Sequence, residues 1–573
     1  MDLSVDELSR VKRLLGRLPN KLEQDVIDAL WGEQCSRKSS KAHLSSLVSS
    51  SSKVFHSYRE NIGAVDLGDD QIAVLSIAAK QELISGVHLM GARVLFQSDS
   101  YELGVVNKSS LFLGQHAQLK NRLLYFAASV EACLSCLEEN LIVDLDDLQF
   151  GGLAGALLRM ANRSSTGMLI SLDSLSPEIV TKNQDGMLIA ADSKNMPHIN
   201  QIAVTHGLNI IDLGVIRGDG IVRMTYHGKE VLSLPATLMI ENAPRYRRSY
   251  QSKVPKPYAV SLKNLVDLSI AQALKILMSS SAPEEVVISH LLDTDRMLAH
   301  VVLSYPRLIK IDPLVAVYRT VLHAFLCLSA HGAEACALAV SLNFGSPEQE
   351  NIMTELKQAI DGLAHASTAL EIPLIATDVN LFRAINQTSV MISMLGLSKH
   401  RALEARPQAG EIMLIIGELP DDYAGSELLF AKTPIKDLAF WDYHHLKILS
   451  HIAQILLKAQ LLSCLKVVGR GGLFASLRSV IAKEKFGMSI DFGEELLSCE
   501  LTMSLVSEDT ARLLAIIPEY NMAAVKEICA HKAHLSYLGL CGGDRFIIRH
   551  QDQVIFDLDA AEIYQSDQSA IAH

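Results

Sequence analysis

The chain has 573 residues, 52 Lys and Arg against 64 Asp and Glu, a net charge of −12 and 49% hydrophobic residues. That acidic balance gives no basis for a nucleic-acid surface, and a mean hydropathy of +0.21 lies far from the disordered regime. The length suggests roughly three or four domains of about 150 residues.

The N-terminus, MDLSVDELSR, is acidic and amphipathic, unlike a signal peptide. Residues 5–16 and 20–33 read as two short helices separated by Leu18-Pro19-Asn20. Ser45 to Ser52 reads as a flexible serine-rich connector. Residues 64–67 and 72–77 flank Gly68-Asp69-Asp70, a hairpin signal, and Ser85 to Gly91 leads into a strand-like Arg93-Val94-Leu95-Phe96. Ala117 to Asn140 reads as a helix with Cys133 and Cys136 on one face. No second pair follows at zinc spacing, so this C-x-x-C reads as core in preference to a metal or redox site. Nine scattered cysteines suggest free thiols and a reducing cytoplasm.

Further on, residues 311–330 read as a helix and 335–342 as a buried strand. The apolar stretch Leu314 to Leu342 is broken by Arg319, His323, His331 and Glu334, which favours a protein core over a membrane span. Residues 350–370 carry apolar positions near a 3.6 period, a strong helix signal. Residues 372–376, 390–395 and 411–416 read as strands and 443–462 as a helix. His444-His445 reads as solvated or capping, because adjacent helical residues do not face one site. Strands alternating with helices imply an α/β (α+β layered) fold.

The chain also repeats itself. GGLAGALLRMANRSSTGMLISL at 151–172 returns as GGLFASLRSVIAKEKFGMSIDF at 471–492, with seven matches at one ungapped offset of 320. Leu213-Gly214 with Gly218-Asp219 returns as Leu538-Gly539 with Gly543-Asp544. This implies tandem duplication of a whole structural unit. The stretch from Gly91 to Gly151 is less than half as long as the one from Gly332 to Gly471. The first copy is therefore shortened, by a segment long enough for two or three βα units. The expected domains are 1–50 (helical segment and linker), 51–110, 111–245, 246–430 and 431–573, with the half-boundary at Pro244–Pro257.

Ser341-Leu342-Asn343-Phe344-Gly345-Ser346-Pro347-Glu348, the helix after it and Leu370-Glu371-Ile372-Pro373-Leu374-Ile375 resemble the L-N-x-G-x-P-E … L-G-I-P-V-V signature of the synthetase of phosphoribosylformylglycinamidine synthase, within the aminoimidazole ribonucleotide synthetase superfamily. Trp31-Gly32-Glu33-Gln34-Cys35-Ser36-Arg37-Lys38-Ser39-Ser40-Lys41 is similar to that family's W-S-E-H-C-x-x-K-S-S-K/R. Gly417-Glu418 with Gly425-Ser426-Glu427 resembles its G-E … G-G-S-E-Y turn, and Gly151-Gly152 and Gly471-Gly472 match its D-x-x-x-G-G-L segments. The resemblance runs in collinear order from about residue 3 to 560.

It implies a duplicated synthetase-like fold with a nucleotide between the halves, and an ATP-dependent conversion of formylglycinamide ribonucleotide to its amidine. That chemistry needs Mg²⁺ on carboxylates, backbone N–H groups around phosphates and an acid/base. Against the family pattern the histidine is Gln34, and the glycine-rich loop with its histidines and aspartate is replaced by Ser76 to Gly86. The S-E-S-Q-E-R acid is reduced to Asp185 within Thr181 to Gly186, while the second half reads Ser498-Cys499-Glu500-Leu501-Thr502 there. The acid Asp147 precedes the first Gly-Gly pair but Lys466 to Arg470 precedes the second, and the S-G-N loop is filled in as Ala376-Thr377-Asp378.

The expectation is therefore a divergent homologue with no assigned catalytic or metal residues, acting as a binding, structural or regulatory protein. Its partner would be an intact synthetase, a glutaminase, a small bridging subunit or a second copy, with no nucleic acid or membrane. Lys38, Ser39, Lys41, Asp147, Gly151, Gly152, Asp185, Asn343, Gly345, Asp378, Glu418, Gly471 and Gly472 are the candidate remnants of a ligand site. The alternative is a working Mg-ATP ligase with relocated groups, drawn from Lys80, Glu82, Asp147, Asp185, Asp378 and Glu418.

Overall fold

The computed structural model describes residues 3–44, 47, 51–56, 61–77, 90, 93–97, 101–108, 111, 118, 120–127, 130–149, 151–175, 177–182, 186–250, 286–291, 294–381, 388–398, 406–417, 441–493, 501–508 and 511–563. Two compact units emerge. The first comprises Met1–Ser249, Ser341–Glu350 and Ile375–Ile385; the second comprises Tyr250–Val340, Asn351–Leu374 and Asn386–His573.

The first unit opens with helices α1 (Val5–Leu15) and α2 (Lys21–Trp31). Each starts on a reciprocal capping box, Ser4 with Glu7 and Asn20 with Glu23. A five-stranded sheet follows: β1 (Val54–His56), β2 (Ile62–Gly68), β3 (Gln71–Ile77), β4 (Arg93–Gln97) and β5 (Tyr101–Asn107), in order β1-β2-β3-β5-β4. The β2–β3 hairpin turns at Asp69 and Asp70, both with positive φ, as its Gly-Asp-Asp sequence predicts.

A seven-stranded sheet follows: β6 (Arg122–Ala127), β7 (Ile142–Asp147), β8 (Gly167–Ser171), β9 (Gly186–Ala191), β10 (Ile210–Arg217), β11 (Ile221–Tyr226) and β12 (Lys229–Pro235), ordered β12-β11-β8-β10-β6-β9-β7. Helix α3 (Val130–Glu138) links β6 to β7, and α4 (Gly152–Ser164) follows β7. Leu153, Leu157 and Met160 of α4 share a core with Met168, Ile170, Leu188 and Val222 of the sheet.

Part of the helix expected over 117–140 is a strand. Residues 122–127 form β6, which pairs antiparallel with β9 and β10, and among the described residues of this stretch 130–138 are helical. A short apolar run such as Leu123-Leu124-Tyr125-Phe126 suits either a buried strand or a buried helix, so periodicity cannot separate them. Cys133 and Cys136 are buried core residues on α3. Burial pushes the Cys133 thiol up, and burial with nearby Glu139 pushes Cys136 up to about 12. Most of the serine-rich connector and the 85–91 segment lie outside the described residues, as does the junction beyond Tyr250.

The later sheets repeat the plan. β13 (Val287–His290), β14 (Met297–Leu303), β15 (Glu334–Phe344), β16 (Leu374–Leu381) and β17 (Ser389–Ser398) are ordered β13-β14-β17-β15-β16. β18 (Ile412–Ile416), β19 (Cys464–Val468), β20 (Met488–Phe492), β21 (Arg512–Ile517), β22 (Leu535–Cys541), β23 (Arg545–His550) and β24 (Gln553–Asp559) are ordered β19-β21-β18-β22-β20-β23-β24. Read from the opposite edge, this is the strand order of β6 to β12, so the duplication inferred from sequence is a duplication of topology. Helices α5 (Pro313–Ala330), α6 (Ile352–Leu370), α7 (Tyr443–Lys458) and α8 (Gly472–Glu484) belong to this copy. By length and composition α5 could cross a membrane, but 94% of it is buried within the protein.

The topology also locates the deletion. β4 and β5 correspond to β15 and β17. In the first copy Gln97 ends β4 and Tyr101 already begins β5, whereas α6 and β16 intervene between Phe344 and Ser389 in the second. What the first copy lacks there is one helix–strand pair, the counterpart of α6 and β16. Most of the remaining shortfall lies between β6 and β7, which start at Arg122 and Ile142, against Ile412 and Cys464 for β18 and β19.

Candidate functional site

The Trp31–Lys41 segment begins where α2 ends. Trp31 is locked in the core, its indole Nε1 donating to the Met239 carbonyl at 2.8 Å. Two single helical turns follow, Glu33–Ser36 and Lys41–Leu44, separated by Arg37 in the left-handed region at φ 50°. This kink directs Arg37 and Lys38 to different partners.

Arg37 reaches β16. Its Nη1 donates to the Thr377 carbonyl at 3.1 Å, and Nη2 lies 3.5 Å from Asp378 Oδ1. Asp378 Oδ2 accepts from Asn380 Nδ2 at 2.6 Å and from Ser341 Oγ at 3.3 Å. Asn380 Nδ2 also donates to Asn343 Oδ1 at 3.0 Å, and Asn343 Nδ2 donates to Ser341 Oγ at 3.2 Å. The two-residue alternation of strands puts 341 with 343 and 378 with 380 on shared faces. Three motif residues, Arg37, Asn343 and Asp378, therefore meet in one cluster inside the first unit. Sequence reading missed Arg37, Ser341 and Asn380 as members, although for Ser341 and Asn380 the i, i+2 spacing to the candidates was an available signal.

Lys38 points elsewhere. Its Nζ contacts Glu7 Oε1 at 2.6 Å, Tyr246 OH donates to the same oxygen at 2.8 Å, and Lys38 lies over the Tyr246 ring at 5.5 Å. Burial would push the Glu7 carboxyl up, but Lys38, the Ser4 N–H and Tyr246 together hold it below its ordinary value. Ser39 is fully buried, its N–H donating to Glu33 Oε1 and its Oγ accepting from Arg248 Nε, each at 2.9 Å. Lys41 is exposed and Gly345 buried.

Asp147 belongs to a second network on β7. Arg159 Nη2 donates to Asp146 Oδ1 at 2.8 Å and to the Asp147 carbonyl at 2.9 Å. Arg163 bridges Asp146 Oδ2 at 2.8 Å and Asp144 Oδ1 at 2.9 Å, while Asp147 Oδ1 caps the Gln149 N–H at 3.0 Å. Burial pushes the Asp144 carboxyl up to about 6; Arg163 opposes that and Asp146 adds to it.

The paired glycines begin α4 and α8 in left-handed conformations, at φ 80° and 63° for Gly151 and Gly152, and 81° and 66° for Gly471 and Gly472. A Cβ on Gly152 would stand 2.8 Å from the Ile179 and Val180 carbonyl oxygens; one on Gly472 would stand 2.5 Å from the Val506 carbonyl carbon. Against the second turn lies the end of a short helix, Leu501–Val506, followed by Ser507-Glu508; Ser498 to Glu500, expected at this place from sequence, lie outside the described residues. Glu508 Oε1 accepts the Gly471 N–H at 2.6 Å. Asp185 and Glu418, like Lys80 and Glu82, lie outside the described residues, as does the Gln34 side chain. Among the described residues no three His, Cys, Asp or Glu side chains converge as a metal set.

Residues 286–398 match the family model for AIR synthase related protein, N-terminal domain. In fold, the chain is similar to PurL of Thermotoga maritima complexed with FGAR (14% identity, TM-score 0.71, 94% of this chain and 100% of that one). It is similar also to phosphoribosylformylglycinamidine synthase II of the same organism (14% identity, TM-score 0.69) and to a chain in the T. maritima PurLQS structure (15% identity, TM-score 0.69), each covering 94% of this chain and 100% of that one. The family resemblance carried by the sequence motifs thus extends to the fold of nearly the whole chain: a tandem AIR synthase-related architecture shared with phosphoribosylformylglycinamidine synthase II.

Proposed function

We propose that this protein is a divergent phosphoribosylformylglycinamidine synthase homologue that has given up Mg-ATP ligase chemistry and works by binding, as a structural or regulatory component. The partner in this reading is an intact synthetase, a glutaminase or a small bridging subunit of the purine pathway.

The observation that carries the reading is how the charges at and beside the candidate positions are used. A Mg²⁺ site needs carboxylate oxygens that converge on the ion, and phosphates need cations and N–H groups that face them. Here Asp378 is held by Arg37, Asp146 by Arg159 and Arg163, Asp144 by Arg163, and Lys38 by Glu7. Such a donor set does not fit a metal–nucleotide pair. Each carboxylate would first have to exchange an arginine for the ion, leaving a guanidinium beside a divalent cation.

The test is phosphate release from purified protein given formylglycinamide ribonucleotide, Mg-ATP and ammonium, beside an intact synthetase. Ammonium removes the need for a glutaminase. No turnover is expected from the folded protein; release that depends on all three reactants would restore the ligase reading.

A further inference from the structure

The second unit contains a cluster that the sequence motifs did not single out. It lines a small, partly open cleft whose walls include Tyr305, Arg319, His323, Trp441, Arg470 and Glu508. Arg319 sits on α5, only 5% exposed, with its guanidinium 4.9 Å from the centre of the Trp441 ring. Its Nη2 donates to the Glu508 carbonyl. Through its side chain, the same Glu508 accepts the Gly471 N–H at the start of α8. One turn along α5 from Arg319, His323 Nδ1 and Tyr305 OH lie 2.6 Å apart, and the His323 and Trp441 rings meet steeply inclined with 6.1 Å between their centres.

At the start of a helix a free N–H and the helix dipole favour an anion, and in this fold family the matching turn is expected to serve a metal and phosphates. Neither fits here. The anion's place on the Gly471 N–H is taken by a carboxylate of the protein, and the cleft holds the Arg319 guanidinium, with Arg470 also among its lining residues. A cation brought beside the guanidinium meets like-charge repulsion. An arriving phosphate would have to displace Glu508.

We propose that Arg319, Trp441 and Glu508 form an intramolecular lock that replaces a metal–anion pair at the second Gly-Gly turn, holding α5, the 469–472 turn and the 507–508 loop together without a ligand. The cation is supplied by Arg319, stacked on an aromatic face where a guanidinium is stabilised, and the anion by Glu508. Among the described residues the first copy shows no such lock. Its loop carbonyls against Gly152 come from Ile179, Val180 and Lys182, and Lys182 pairs with Glu178 in an exposed ion pair. The lock lies in the second unit and stands independently of the cluster around Asp378.

Trp441 provides the readout. Its contribution to acrylamide quenching of full-length protein is the difference between wild type and Trp441→Phe, which removes the signal of Trp31. The probes are Mg-ADP and inorganic phosphate. The expected result is that neither protects Trp441 in the wild type, whereas Arg319→Met and Glu508→Gln each raise its quenching by roughly twofold or more, as local opening demands. Protection of wild-type Trp441 by either probe overturns the proposal in favour of a ligand site. Quenching unchanged in either variant overturns it too, by removing that residue from the lock. Should Arg319→Met not fold, Glu508→Gln, which keeps the side chain's shape, decides the outcome alone.

Discussion

Arg37 and Asp378 stand 341 residues apart in sequence, yet the guanidinium lies 3.5 Å from the carboxylate, with both side chains largely buried. The arginine comes from a kink between two helical turns and the aspartate from β16, the strand whose counterpart the first copy lacks. One ion pair thereby ties a family motif at the N-terminus to the segment kept only in the second copy. Removing one partner of such a pair leaves the other charge poorly solvated, so Arg37→Met is expected to cost about 2–3 kcal/mol. The double variant Arg37→Met/Asp378→Asn should recover about 1 kcal/mol relative to the sum of the single changes. Urea titrations of the four proteins measure this coupling, and strict additivity would show that the pair contributes nothing.

Lys38 is predicted to matter for folding in place of phosphate binding. The Glu7 carboxyl is held below its ordinary value, so its contribution to stability is present above the unfolded pKa and lost as pH falls through the lower folded value. Lys38→Met removes one of the groups responsible. The stability gap between wild type and variant should be widest near pH 7 and already narrower at pH 4, below the ordinary value of 4.5 at which Glu7 of the unfolded chain protonates. Denaturant midpoints at the two pH values check it, and a gap independent of pH would place the role of Lys38 elsewhere.

Which parts of this were legible in the sequence depended on range. Gly151-Gly152 and Gly471-Gly472 were found because identical backbone requirements left identical residues. Gly214 and Gly539 repeat for the same reason, since a Cβ on either would come within 2.0 or 2.1 Å of the Leu169 or Ser489 carbonyl oxygen. Local signals also placed the Asp69-Asp70 turn and both capped N-terminal helices. Glu508 was missed because the offset between copies is 320 at the Gly-Gly turns but 325 at Leu213 and Leu538, so added residues in between shift the register. The union of Arg37, Asn343 and Asp378 was unreadable for another reason: three separate motifs converge only through packing, and nothing local encodes which charges neutralise one another.

The repeated glycines give a comparison with its own control. Gly152→Ala and Gly472→Ala combine a strained positive φ with a Cβ driven against neighbouring backbone, whereas Gly207 has positive φ of 67° but open space around it. Conformation alone costs about 1 kcal/mol, so Gly207→Ala should lose that much and the other two about 3 kcal/mol or more. Thermal or denaturant unfolding measures all three. Equal losses would show that the segments at 179–182 and 505–506 yield readily, which would make these turns better suited to rearrangement around a ligand than to fixed packing.

Asp144 should make the first unit less stable as pH rises. Burial pushes its carboxyl up to about 6 despite Arg163, with Asp146 adding repulsion, while Arg159 donates to Asp146 and to the Asp147 carbonyl beside it. Between its ordinary value of 3.8 and about 6 the folded state therefore binds more proton than the unfolded chain. Stability from this group is full below the unfolded value and is lost as pH climbs through 6, then stays level; a shift of about two units corresponds to roughly 3 kcal/mol. Asp144→Asn cannot ionise, so the variant should gain on wild type between pH 4 and pH 6.5 and hold a constant difference above that. Denaturant titrations across the range give the curve. Were the variant to lose ground as pH rises, the attraction of Arg163 would outweigh burial, and the β7 acids would stabilise the unit by pairing instead of being carried at a cost.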